Sequence, residues 1–153
     1  MKSYNFWSTS LLAVGLVALT TTNDTGCSRS GMKGHVYLVK GNQMPSPDRP
    51  AASPQGIETE LFIYELTGLE QVTRVGSSSF YSQINTPLVK TIKTDASGAF
   101  SVKLPPGNYS LFVKKDGNYY ANLFDGKNKI YPVEVLTGKM TEVEFKADYD
   151  AVY

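Results

Sequence analysis

The chain of 153 residues has one cysteine and one histidine, and no surplus of either charge sign. Each scarcity removes a class of function. A structural zinc site takes about four Cys or His ligands, and a nucleophile dyad or triad normally needs a histidine beside its nucleophile, so His35 would have to serve alone. A single cysteine also precludes an internal disulfide. Fifteen basic against fourteen acidic residues give a net charge of +1. Lysines and arginines form no stripe that would neutralise successive phosphates, so nucleic acid is not an expected partner. Beyond residue 19 no apolar run approaches the roughly 20 residues that a membrane-spanning helix requires.

What is abundant is turn and strand chemistry: 10 Tyr, 13 Gly and 8 Pro, with 41% hydrophobic residues. Short alternating segments lie between Gly, Pro, Asn and Asp breaks. They predict strands at residues 36–39, 57–66, 88–94, 99–104, 109–115, 119–124, 130–136 and 141–146, with no helical period. In the first of these Val36 and Leu38 point inward and His35 outward, as a surface histidine. Asp116-Gly117 reads as the tightest hairpin turn, since both residues tolerate positive φ. Residues 41–55 carry too many prolines for a central strand, and residues 67–86 read as a long irregular loop of the kind that is often functional. Seven or eight short strands at this spacing predict an all-β, Ig-like or prealbumin-like sandwich. The length leaves room for one such domain.

The amino terminus reads as an address. Residues 11–19 form a secretory apolar block behind Lys2, too short to span a bilayer. Cys27 follows it. The order resembles a bacterial lipoprotein signal, in which the cysteine thiol takes up a diacylglyceryl group and becomes the first mature residue. Thr25 and Gly26 fit the small positions before it, while Asp24 stands where Leu or Val is usual. Ordinary signal peptidase cutting near residues 20–23 is the competing reading. The organisation expected is therefore a signal peptide at 1–26, a linker at 27–33 and the sandwich at 34–153.

Residues 94–113 carry the most specific pattern. Asp95 and Gly98 frame a turn, Phe100, Val102 and Leu104 alternate with Ser101 and Lys103, Pro105-Pro106-Gly107 stops the pairing, and Tyr109, Leu111 and Val113 restart it. The stretch resembles the signature of carboxypeptidase regulatory-like domains, β-sandwiches of the transthyretin kind. The resemblance implies structural roles for Asp95, Gly98, Phe100, Pro105, Pro106 and Gly107, and a buried anchor at Tyr109. The catalytic zinc motif of the carboxypeptidases is missing from the sequence. The chain is also similar to small lipoproteins of Bacteroidetes-type bacteria. The transthyretin-like hydrolase of purine breakdown needs several histidines and a terminal Tyr-Arg-Gly-Ser, and neither is found here.

These readings converge on a non-catalytic protein without cofactor or metal. It is expected to be exported and fixed to the cell-envelope membrane through a lipid on Cys27, as a structural or interaction module. The alternative is an accessory protein that binds a glycan or a peptide of an envelope partner. For that, Phe112 is expected to face outward between inward Leu111 and Val113, forming an exposed aromatic patch with Tyr119, Tyr120, Phe124 and Tyr131.

Overall fold

The computed structural model describes residues 29–44 and 53–152. The protein is an all-β sandwich of two packed sheets, one of four strands and one of seven. In chain order the strands are β1 (Gly31–Asn42), β2 (Gln55–Gly56), β3 (Glu60–Glu65), β4 (Val72–Arg74), β5 (Phe80–Ile84), β6 (Leu88–Lys93), β7 (Ala99–Lys103), β8 (Gly107–Lys115), β9 (Asn118–Tyr120), β10 (Pro132–Val135) and β11 (Met140–Val152). The only helical segment among the described residues is a 3-10 turn at Leu69–Gln71, and none is long and apolar enough to cross a membrane.

In the smaller sheet β1 is central. It pairs in parallel with β11 on one side and antiparallel with β7 and β2 on the other. The larger sheet runs β4-β5-β9-β8-β3-β6, with β10 beside the first half of β8. Alternation supplies the core between the sheets. Met32, Val36, Phe100, Val102, Val143 and Phe145 from one sheet meet Leu61, Ile63, Leu111, Val113, Val133 and Val135 from the other, all buried.

The observed elements differ from the sequence reading at instructive places. The expected linker at 27–33 ends sooner, because β1 already starts at Gly31. Glycine is a poor strand former by propensity, but here it permits close approach of neighbouring backbones. A Cβ on Gly34 would collide with the carbonyl of Val143 on β11, and one on Gly31 with the carbonyl of Val102 on β7. The last strand likewise runs past 146 to Val152. Its register against β1 shifts between Leu38, opposite Ala147, and Lys40, opposite Asp150. Asp148 and Tyr149 together therefore face Val39, a β-bulge that interrupts the alternation on which the shorter reading relied. Conversely, the expected strand at 119–124 stops at Tyr120.

Residues 67–86 are not an irregular loop. They hold the 3-10 turn and the β4–β5 hairpin, which joins the larger sheet through β9. The same segment covers the outer face of that sheet. Thr67 is wholly buried, and its amide donates to Ser110 Oγ (2.9 Å) on β8, on the side away from the smaller sheet. Together with the Tyr81 ring against Phe112, this contact covers the outer side of β3 and β8. The middles of both strands are therefore buried on both faces.

Two turns form as expected. Asp116 and Gly117 have φ of 50° and 83°, the paired positive values of a two-residue hairpin. At Asp95, Oδ1 accepts hydrogen bonds from the amides of Ser97 (2.8 Å) and Ala99 (2.9 Å) and from Ser97 Oγ (2.6 Å). Gly98 completes that turn at φ 80°.

Candidate functional site

The outward aromatic patch expected on β8 and β9 is not on the surface. Phe112 has no exposed area, and Tyr120 and Tyr131 are buried as well. Phe112 does point away from Leu111 and Val113, as alternation requires, but into the covered outer layer. There its ring meets the rings of Tyr64 (5.6 Å), Tyr81 (5.8 Å) and Tyr119 (6.3 Å), each near perpendicular. This is the edge-to-face geometry that aromatic quadrupoles favour. Burial, followed by a hydrogen bond with Tyr119, pushes the Tyr64 phenol well above its ordinary pKa. Tyr119 is half-buried beneath the Lys114 ammonium, which lies 5.4 Å from its ring centre.

Tyr120 and Tyr131 face the other way, into the space between the sheets. Tyr131 stacks on Phe145 with centroids 4.5 Å apart, and its hydroxyl donates to the Glu144 carbonyl (2.6 Å). Burial pushes its phenol up to about 12. Tyr120 contacts Phe80 and Tyr149, and its hydroxyl donates to Asp148 Oδ1. Asn122 Nδ2 donates to the same oxygen (2.6 Å). The bulge at Asp148–Tyr149 turns this carboxylate toward the larger sheet. The result is a polar staple between β11 and β9 that period-two reading of the sequence would not place there. Of the five aromatic residues only Phe124 is exposed, at 38%. The five do not form one surface.

The residues of the 94–113 pattern take up structural positions. Phe100 is buried, and Tyr109 is buried with its hydroxyl donating to the Pro105 carbonyl (2.8 Å), a clasp across the Pro-Pro-Gly turn. Burial raises the Tyr109 phenol pKa. The Ser97 hydroxyl and then the Ala99 amide hold the Asp95 carboxyl below its ordinary value. Cys27 lies outside the described residues.

His35 is exposed on the outer face of the smaller sheet, stacked on Tyr37 (5.7 Å). Beside it Lys33, Ser101, Glu142 and Glu144 border an open depression of about 390 Å³ above Gly34. Lys33 and Glu142 are paired across it (3.0 Å). Among the described residues no three His, Cys, Asp or Glu side chains are grouped to hold a metal ion.

A second feature escaped the sequence reading. Ser30, expected in a flexible linker, is 1% exposed. Its hydroxyl accepts from the Gly138 amide (2.8 Å), and its carbonyl accepts from the Leu104 amide (3.1 Å). Ser30 therefore belongs to the folded unit. Around it the end of the sandwich presents Arg29, Lys103, Pro105, Pro106, Leu136 and Lys139, all exposed.

The architecture places the protein among all-β sandwiches. No family model matches this chain, and no curated protein matches it.

Proposed function

We propose that this protein is a non-catalytic β-sandwich module of the bacterial cell envelope, held to the membrane by a lipid on Cys27 and acting as a structural or interaction unit. The observation that carries this reading is an order of elements. An apolar export segment at residues 11–19 is followed by the only cysteine of the chain, and Ser30, three residues further on, is already packed into the sandwich. An odd cysteine in an exported chain has no disulfide partner, and acylation gives it a role. A relationship to carboxypeptidase regulatory-like domains belongs to the same reading. It is supported by the Asp95 turn and by the Tyr109–Pro105 clasp, which give the pattern of residues 94–113 structural work. The aromatic rings that would have recommended a glycan- or peptide-binding face are used in packing instead.

The test is processing of the full chain in a bacterial host. The expected product has Cys27 as its first residue, carries acyl mass and fractionates with membranes, while Cys27→Ser is found outside the membrane fraction or remains unprocessed. A mature amino terminus at residues 20–23 without acyl mass would refute the anchor.

A further inference from the structure

The place of Ser30 in the fold leaves little slack between Cys27 and the sandwich. Three residue steps reach at most about 11 Å when fully extended. If Cys27 bears the lipid, its Cα cannot be further than that from Ser30, whatever path the chain takes. That distance is close to the screening length of roughly 8 to 10 Å at physiological ionic strength. The end of the sandwich at Ser30 is then held where it feels the charge of the bilayer surface.

This end is built in a manner that suits such a surface. Gly31, the first paired residue of β1, lies opposite Lys103 at the end of β7 and Met140 at the start of β11. Arg29 and Lys139 lie beyond this last row of pairs, so basic side chains are outermost. The acidic residues of the same end sit further back. Glu134 pairs opposite Asn108, and Glu65 opposite Tyr109, one and two residues inside the Gly107 start of β8, and Glu142, ion-paired with Lys33, lies two residues inside the Met140 start of β11. Between the cations are exposed apolar groups: Leu136 at 46%, and Pro105 and Pro106 of the clasped turn. Basic side chains around a small apolar projection match the phosphate layer and the upper acyl region of an anionic bilayer.

We propose that this pole of the sandwich, with Arg29, Lys103 and Lys139 around Leu136 and the Pro105-Pro106 turn, docks on an anionic lipid surface and fixes the orientation of the domain on the membrane. The proposal rests on the lipid-anchor reading above. Docking sets the long axis of the sandwich upright. β8 runs away from the pole for nine residues, so the Asp116-Gly117 hairpin is roughly 30 Å from the bilayer at the far end.

Hydrogen exchange of the full-length chain on vesicles tests it, comparing phosphatidylcholine alone with phosphatidylcholine containing 30 mol% phosphatidylglycerol. On the anionic vesicles, amides of residues 136–139 should exchange more slowly than on the neutral ones, while those of residues 116–117 should not change. Each basic side chain near an anionic surface contributes a factor of about five. Lys103→Gln with Lys139→Gln should therefore reduce the protection by up to about 25-fold. Lys40→Gln with Lys90→Gln removes the same net charge away from this pole and should leave the protection within about two-fold. Equal exchange at both turns, or equal loss in the two double variants, would overturn the docking. The intact mass of the same samples reads acylation separately. Acyl mass without protection at 136–139 rejects the docking and keeps the anchor; protection without acyl mass keeps the docking and rejects the anchor.

Discussion

Replacing Phe112 by alanine removes a side chain that has no exposed area and three edge-to-face ring partners. The transfer free energy of a fully buried phenylalanine is about 2 to 3 kcal/mol. A lasting void of about 50 Å³, roughly half of what the truncation vacates, would add about 1 kcal/mol. Loss of the perpendicular contacts to Tyr64, Tyr81 and Tyr119 adds about 0.5 to 1 kcal/mol. The expected destabilisation is therefore about 3.5 to 5 kcal/mol, a large part of the stability of a small domain. Urea denaturation followed by tyrosine fluorescence measures it, with Lys90→Ala, on an exposed strand, as a control that should change stability by under about 0.5 kcal/mol. Phe112→Leu should recover more than half of the loss, because it keeps most of the apolar volume. A loss below about 1 kcal/mol for Phe112→Ala would mean that residues 67–86 do not seal the outer face of the larger sheet. The account of β3 and β8 as covered on both faces would then be wrong.

Gly34→Ala should cost about 3 kcal/mol or more, because its Cβ collides with backbone of β11 rather than with a side chain that can swing away; a denaturation midpoint unchanged from that of the parent would show that β1 and β11 are less closely apposed. Acid stability should depend on Asp95, whose carboxyl is held below its ordinary value first by the Ser97 hydroxyl and next by the Ala99 amide. A depressed carboxyl contributes stability that is complete above the unfolded value of about 3.9 and is lost as pH falls through the folded one. Urea midpoints measured from pH 6 down to pH 2.5 should fall less steeply below about pH 4 in Asp95→Asn than in the parent, and parallel curves would rule out the Asp95 turn as a source of that slope.

The local pattern carried much of this protein. Phe100, Val102 and Leu104 alternate with Ser101 and Lys103, and that period alone sets one face in the core. Asp95, Gly98, Asp116 and Gly117 specify their turns through side-chain acceptors and positive φ, which are properties of a few consecutive residues. For the same reason the all-β class and the outward phase of His35 were legible without coordinates.

What the sequence could not decide was which apolar faces meet which partners. Alternation states that Phe112 points opposite to Leu111 and Val113; it does not state that residues 67–86 return to cover that side, because the covering contacts join segments some forty residues apart, as between Thr67 and Ser110. Asp148 reaches Tyr120 and Asn122 only because a bulge against Val39 breaks the period of two, an event set by the parallel pairing of the first and last strands. The burial of Ser30 depends in the same way on Gly138 and Leu104, more than seventy residues distant. Local residue chemistry fixed strands and turns, whereas long-range pairing alone determined depth, covering and the packing of Ser30 into the end of the sandwich.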